Sequence, residues 1–266
     1  MGRNKRLMLG LTVFVVTVTV GLSVPESGRT ATIAAVTDPL VEQGLQQAEQ
    51  GQLEAAIATY TEAIAADADN ADAYLHRGIA YHDLGDYEQA VDDFSMALQL
   101  RPDHVETLYN RGEAYSHLTN AEAAIADLSQ AIELDPDFVQ PYLDRSIILA
   151  ATGRLPQALS DLDQAIALAP ENADAYYNRG KVHTELGNAE AALSDFDTAI
   201  QLNPELAEAY GNRGLLRYQL GNPELALTDL QQAAELFEAR GDQQGYQQTL
   251  YFIQQVQQAI ERGDRS

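Results

Sequence analysis

Five arginines recur at a fixed spacing, and each is followed by an aspartate sixteen residues later. The pairs are Arg77 and Asp93, Arg111 and Asp127, Arg145 and Asp161, Arg179 and Asp195, and Arg213 and Asp229. One period earlier, Gln43 and Thr59 replace both residues, so the two types are present or absent together. This pattern predicts partly buried ion pairs between two helices. The less favoured alternative is a row of arginines that captures acidic ligands.

The remaining composition excludes several kinds of chemistry. The 266 residues include no Cys, which rules out disulfides, thiolate metal sites and Cys nucleophiles. His76 and His82 lie six residues apart rather than the four that place two metal ligands on one helix face, and we interpret the histidines as solvated or capping. We therefore expect no catalytic residues, no metal and no cofactor. The net charge of -24 argues against a nucleic-acid partner.

A period of 34 residues runs through most of the chain. A small residue recurs at Gly44, Gly78, Gly112, Ser146, Gly180 and Gly214, and alanine recurs at 56, 90, 124, 158, 192 and 226. Within each copy, apolar residues three or four apart predict two helices, for example Ala71–Leu84 and Tyr87–Leu100. Pro102 ends the second of these helices because it has no N–H and clashes with the preceding turn.

This register of aromatic, Gly, Ala and Pro residues resembles that of the tetratricopeptide repeat (TPR) family. The resemblance implies an all-α fold, a right-handed α-solenoid of six helix–turn–helix repeats with a C-terminal capping helix. The repeats are expected at 37–70, 71–104, 105–138, 139–172, 173–206 and 207–240, with the capping helix and tail at 241–266. One departure is Thr119, which stands where the second repeat has the turn residue Gly85.

In TPR proteins the first helices of the repeats line a groove that binds extended peptides. Carried over by position, the resemblance places the following candidate groove residues here: Leu75, His76, Ile79, Tyr109, Asn110, Leu143, Asp144, Tyr177, Asn178, Lys181 and Asn212. The asparagines resemble a ladder that holds a peptide backbone, since an amide both donates and accepts hydrogen bonds. For Tyr109 and Tyr177, binding and packing are equally favoured. The lysines of a carboxylate clamp are missing, so we expect a protein or peptide ligand that is neutral or basic, and apolar.

Residues 1–36 differ from the repeats. A short basic start precedes an apolar run over residues 7–24, followed by a stretch rich in small residues. This pattern predicts export, with the segment acting as a signal peptide or as an N-terminal membrane anchor with a short linker. Cleavage after Ser23 or Ala34 and retention as an anchor remain open. The body is expected to be periplasmic, lumenal or secreted, and membrane contact is expected only through residues 7–24 if they are retained.

The sequence thus favours a non-catalytic protein-interaction scaffold that binds an extended peptide in its groove. We expect a role in assembling a complex at or beyond the membrane. The alternative is a structural or oligomerising solenoid that uses its convex face or its capping helix. A regulatory domain of an enzyme is less favoured, since the repeats occupy nearly all of the body.

Overall fold

The computed structural model describes residues 38–263, and every regular element in that range is an α-helix. These residues form two compact units, 38–169 (the N-terminal unit) and 170–263 (the C-terminal unit). The segment interpreted as a signal peptide or anchor, residues 1–36, lies outside the described residues.

Each unit is built from consecutive helical hairpins. The N-terminal unit contains α1 (Pro39–Glu49), α2 (Leu53–Ala66), α3 (Ala71–Leu84), α4 (Tyr87–Leu100), α5 (Val105–His117), α6 (Ala121–Leu134), α7 (Val139–Ala151) and α8 (Leu155–Leu168). The C-terminal unit contains α9 (Ala173–Glu185), α10 (Ala189–Leu202), α11 (Ala207–Gln219), α12 (Pro223–Ala239) and α13 (Gln243–Gly263). The predicted all-α class and the predicted bounds of α3 and α4 are confirmed.

Left-handed residues make the turn between the two helices of a repeat. Gly85 follows α3 with φ 83°, and glycines 51, 153, 187 and 221 have similar positive φ in the equivalent turns. Glycine adopts this conformation without the steric penalty that a Cβ imposes. In the third repeat, Thr119 takes the same conformation with φ 58°. Thr119, which replaces the turn glycine, therefore keeps the turn, but this β-branched residue adopts a strained backbone conformation.

A proline follows the second helix of each of the four inner repeats. Helix α4 ends at Leu100, and Arg101 has the extended φ of -136° that suits the residue before a proline. Helix α12 has Glu238 where the inner repeats have proline, and it runs for 17 residues instead of 14. The missing proline permits the extra turn but does not by itself cause it, because α2 also lacks the proline, with Ala68 in its place, and has 14 residues.

Small residues let the two helices of a repeat approach closely. The alanines at positions 56, 90, 124, 158, 192 and 226 are fully buried. A Cβ built on Gly78 would lie 2.7 Å from Phe94 Cε1, so the ring requires glycine opposite it. At the C-terminus, Ile253 and Val256 of α13 pack in one cluster with Leu230 of α12. Helix α13 therefore covers the last repeat, as expected of a capping helix.

Candidate functional site

The predicted arginine and aspartate columns meet as bidentate ion pairs inside the five repeats that contain them. In the third repeat, Arg111 Nε donates to Asp127 Oδ2 at 2.7 Å and Nη2 donates to Asp127 Oδ1 at 2.8 Å. The same two bonds join Arg77 to Asp93, Arg145 to Asp161, Arg179 to Asp195, and Arg213 to Asp229. The Arg111 and Asp127 side chains are only 21% and 8% exposed. These pairs lie in the packing layer between helices.

Arginines of this column also bond the preceding repeat, which the sequence interpretation missed. In each case Nη1 is the donor. Arg77 donates to Thr61 at 3.0 Å, Arg111 to Ser95 at 3.1 Å, Arg145 to Ser129 at 2.8 Å, and Arg213 to Asp197 at 2.5 Å. The signal was present, because each acceptor lies sixteen residues before its arginine. The arginines are therefore occupied by internal bonds, which opposes the alternative of an arginine row that captures ligands.

One stripe of the predicted groove is buried and needs correction. Leu75, Leu143 and Tyr109 are only 2%, 7% and 8% exposed. Leu75 packs in one cluster with Ala114 of the next first helix, and the Tyr109 ring lies 5.1 Å from the Phe138 ring. These positions face neighbouring helices, so their side chains contribute packing and not a groove wall.

The two neighbouring columns of the first helices remain more open in the N-terminal unit. Ile147 is 48% exposed, whereas Ile79 is half-buried and packs against the cluster that contains Phe94. His76 lies against the Tyr60 ring at 6.0 Å. The half-buried Asn110 amide has no hydrogen-bond partner among the residues that the structure describes. This face of the N-terminal unit therefore offers an exposed aliphatic side chain and a free amide.

Two carboxyl groups of adjacent repeats meet at Tyr109. Both carboxyl groups act on the Tyr109 hydroxyl, whose pKa is raised first by burial and then by the charges of Asp144 and Glu113. Burial, and secondly repulsion from Asp144, raise the pKa of Glu113 from 4.5 to about 7. Burial raises the pKa of Asp144 from 3.8 to about 6, although the Tyr109 bond opposes this shift. Neither carboxyl forms an ion pair with Arg or Lys among residues 38–263.

In the C-terminal unit, the predicted groove residues surround one lysine. Lys181 Nζ lies 5.3 Å from the centre of the Tyr177 ring, in a cation–π arrangement. Asn212 Nδ2 donates to the Tyr177 hydroxyl at 3.0 Å, so this amide bridges two first helices. Asn178 is half-buried and makes no hydrogen bond within the described part of the chain. Burial lowers the pKa of Lys181, which Glu185 partly offsets.

Of the histidines expected to be solvated or capping, His117 is exposed and His82 is half-buried. The His117 ring stacks on Tyr87 at 4.3 Å and meets His82 edge-on at 5.4 Å. His82 Nε2 is buried without a hydrogen-bond partner among the described residues. His104 precedes α5, where its Nδ1 lies 2.8 Å from Thr107 Oγ1. Within residues 38–263 no cluster of three His, Asp or Glu side chains could bind a metal ion.

The helices of residues 38–263 include none that combines the length and hydropathy needed to cross a bilayer.

Comparison with known protein families identifies the repeats. A model described as TPR repeat matches residues 44–85 and 147–187. Models described as tetratricopeptide repeat match residues 71–104, 105–138, 173–206 and 207–240, and all these matches together cover more than half of the chain. The chain belongs to the tetratricopeptide repeat family. The matched segments contain the helical hairpins described above.

Solved TPR structures resemble this TPR chain. The crystal structure of YrrB, described as a TPR protein with an unusual peptide-binding site, is 29% identical with a TM-score of 0.59, and the match covers 64% of this chain and 88% of YrrB. A crystal structure of MamA protein is 26% identical with a TM-score of 0.59, covering 65% of this chain and 94% of MamA. A tetratricopeptide repeat protein from Parabacteroides merdae shares the fold. It is 24% identical with a TM-score of 0.60, and the match covers 79% of this chain and 83% of that protein.

No match was found among curated proteins. TPR proteins are generally non-catalytic, and the TPR fold and its neighbours support a protein-interaction scaffold.

Proposed function

We propose that this TPR chain is an exported, non-catalytic scaffold that binds extended segments of partner proteins on its first helices. Binding serves the assembly of a complex at or beyond the membrane. The N-terminal segment supports export, because a basic start and an apolar run direct the chain across a membrane. N-terminal sequencing of the mature protein after cell fractionation tests this part, and an intact N-terminus in the cytoplasmic fraction would contradict it.

One contrast among the first helices carries the proposal. The arginine column is occupied by internal bonds, whereas the neighbouring polar column keeps free amides at Asn110 and Asn178. A free amide can pair with a peptide unit through one donor and one acceptor. In the N-terminal unit, the 48% exposed Ile147 adds apolar surface to the first helices that carry Asn110. Hydrogen-bonding capacity and apolar surface occur together on one helical face, as a peptide ligand requires.

The charge of the N-terminal unit favours a neutral or basic ligand there. Glu113 and Asp144 form no ion pair with Arg or Lys among the described residues, and a basic side chain would relieve their repulsion. The overall charge of -24 acts in the same direction by attracting basic segments. An acidic segment would meet repulsion at this face.

Affinity capture with the full chain, from the compartment in which it is found, tests the binding face. We compare the native chain with Asn110→Ala/Ile147→Ser/Asn178→Ala, which changes only side chains on first helices. A groove ligand predicts loss of the captured partner with an unchanged circular dichroism spectrum. The partner is then bound again in purified form, so that its affinity and not only its recovery is measured.

A matched control changes the second helices instead. Gln130→Ala/Leu134→Ser/Gln201→Ala removes the same kinds of group from exposed positions of α6 and α10. This control is expected to keep the partner. Equal loss in both variants, or no loss in the first, would contradict binding on the first helices.

A second candidate function has its own observation, namely the exposed surface of the capping helix. Tyr251 on α13 is 54% exposed, whereas Tyr246 packs in the core cluster with Ile253. Association through α13 would therefore use Tyr251, and Tyr246 would act on folding. Sedimentation of the native chain and of Tyr251→Ser separates the candidates. The measured molecular mass falls from an oligomer toward a monomer on this substitution only if the chain associates through α13.

A further inference from the structure

One cavity of the N-terminal unit lies outside the face proposed for peptide binding. Its volume is about 260 Å³, and the Arg145–Asp161 pair of the fourth repeat forms part of its wall. The other lining side chains are Ile125, Ser129, Leu149, Gln157 and Ser160. Leu149 and Ile147 are two residues apart on α7, and a helix turns by about 100° per residue. The cavity is therefore on the side of α7 opposite to Ile147.

The other repeats show which side chain the cavity lacks. The position of Leu149 carries Tyr81 in the second repeat and Tyr115 in the third. In the fifth and sixth repeats it carries His183 and Arg217, which lie 3.9 and 2.7 Å from the aspartate of the ion pair. Among the five repeats with this ion pair, only the fourth has an aliphatic side chain at this position. A ring or a planar cation is thus the missing group.

The acceptor that each arginine Nη1 finds in the preceding repeat decides between a ring and a cation. In the second and third repeats, which have tyrosine at the cavity position, this acceptor is a hydroxyl, Thr61 or Ser95. In the sixth repeat it is Asp197, which also lies 3.9 Å from Arg217, so the additional cation occurs with an additional carboxylate. In the fourth repeat the acceptor is the hydroxyl of Ser129. This repeat therefore matches the two that have tyrosine.

Within residues 38–263, Arg145 is also the one arginine of this column without a cation–π contact. In the other four, the guanidinium carbon lies 5.4–5.8 Å from the centre of a tyrosine ring, which belongs to Tyr74, Tyr115, Tyr176 or Tyr210. Tyr142 stands at the position of Tyr74, but its hydroxyl donates to Pro136 O at 3.2 Å. The fourth repeat thus lacks a ring on its arginine as well as a ring in its cavity.

We infer that this cavity binds one tyrosine side chain of a partner protein, with the ring against the Arg145 guanidinium. The ring would take the place that Tyr115 has in the third repeat. Ile125 and Leu149 supply apolar walls, and the cation–π contact adds to the burial of the ring. The exposed Ser160 hydroxyl can bond the phenol hydroxyl.

The size of the cavity favours a side chain over a free small molecule as the source of the ring. Its volume of about 260 Å³ is below the roughly 300–1,000 Å³ of pockets that hold drug-sized ligands. The site goes beyond the proposed function, because it lies on the other side of α7 from the proposed binding face.

NMR of the full chain with N-acetyl-tyrosinamide as the probe tests the inference. The Arg145 Nε–H signal and the Leu149 methyl signals are expected to shift and to saturate with a Kd on the order of 1 mM, since one ring is buried. N-acetyl-leucinamide, which has no ring, is the matched control and is expected to shift neither signal at the same concentrations.

Two substitutions exchange the side chains of the third and fourth repeats. Leu149→Tyr fills the cavity from within the chain and is expected to abolish the response of the Arg145 signal, with an unchanged circular dichroism spectrum. Tyr115→Leu opens the equivalent site and is expected to make the Arg111 Nε–H signal respond as well. The double variant is expected to move the response from Arg145 to Arg111.

Displayed peptides test whether a protein can supply the ring. A library of random linear peptides is selected in parallel on the native chain and on Leu149→Tyr. We expect tyrosine to be enriched at one peptide position on the native chain and this enrichment to be absent on Leu149→Tyr. Asn110→Ala/Ile147→Ser/Asn178→Ala, which changes the proposed binding face, is expected to keep the enrichment.

The outcomes separate this inference from the proposed function. An absent shift with the tyrosine amide, an equal shift with the leucine amide, or a shift that persists in Leu149→Tyr overturns the site. Binding of the free amide without tyrosine enrichment among the peptides overturns a partner protein as the source of the ring. All of these results leave binding on the first-helix face standing.

Discussion

At the scale of single residues, the arginine that precedes each small residue does more than pair within its repeat. Arg111 holds Asp127 with two bonds and the preceding repeat with a third, through Ser95 Oγ. Such a bidentate pair fixes both position and orientation, which a lysine could not do. The arginine therefore sets the register between repeats as well as within one.

Arg111→Leu is predicted to destabilise the chain more than Arg111→Leu/Asp127→Leu. The single change leaves Asp127, only 8% exposed, as an unpaired buried charge, at a cost of about 3–5 kcal/mol. The double change removes that charge and is expected to cost less. Urea unfolding followed by circular dichroism gives both free energies, and an equal or larger loss in the double variant would refute the pairing.

The acidic pair predicts that stability falls as the pH rises. The pKa values of Glu113 and Asp144 are raised to about 7 and about 6, so the folded chain binds protons that the unfolded chain has released. Their contribution is present below about pH 4 and is lost as the pH passes through about 6–7. His82 and Asp83 also face Glu113 and modulate its titration.

Urea unfolding of the native chain and of Glu113→Gln/Asp144→Asn at about pH 5 and about pH 8 measures this effect. Between these conditions the native chain is expected to lose on the order of 1–3 kcal/mol more than the variant. The variant keeps hydrogen-bonding groups of the same size at both positions. The difference between the two chains in their pH-dependent loss of stability therefore reports the protonation of Glu113 and Asp144. A difference of the opposite sign would contradict the raised pKa values.

At the scale of helices, the side chain on the second helix that faces the Gly or Ser of the first helix limits how large that residue can be. A Cβ on Gly78 would lie 2.7 Å from the Phe94 ring, whereas one on Gly112 would lie 3.0 Å from Leu128 Cγ. The fourth repeat accommodates Ser146, which is buried and donates to Leu143 O at 2.6 Å. In that repeat, Leu162 stands at the ring position. A leucine therefore leaves room for a serine where a ring does not.

Gly78→Ser is predicted to cost about 1–3 kcal/mol and Gly112→Ser distinctly less. Both changes place the same residue in a helix, so propensity cancels between them. Gly78→Ser/Phe94→Leu is expected to recover part of the loss, because it recreates the combination in the fourth repeat. Thermal unfolding ranks the three variants, and an equal cost for the two single changes would contradict the argument.

Periodicity predicted the helices well because breakers and apolar spacing act locally. The turn glycines and Pro102 fix the bounds of α3 and α4 from the sequence alone. The stripe that contains Leu75 was assigned wrongly, because periodicity shows that a flank is apolar but not which helix covers it. The meeting of Glu113 with Asp144 was missed for a related reason, since it depends on the offset between adjacent repeats.

At the scale of the whole molecule, two properties follow from repetition. Most basic residues are used in internal pairs, so the chain of net charge -24 presents an acidic surface. Each repeat also depends on its neighbours, because the apolar flank of one hairpin is covered by the next within a unit. The last hairpin has no following repeat, and α13 takes that place.

Truncation after Gly241 is therefore predicted to destabilise the last repeat first. It removes Ile253 and Val256, which are 9% and 1% exposed, and uncovers Leu230. Two such aliphatic side chains are worth on the order of 3–6 kcal/mol. Hydrogen exchange is expected to accelerate in α11 and α12 while α4 and α5 keep their protection, because the stability of a repeat depends only on its neighbours.

Tyr251→Ser, which changes an exposed residue of the same helix, is the matched control and is expected to leave hydrogen exchange unchanged. Unaltered protection of α12 in the truncated chain would show that α13 is not a cap.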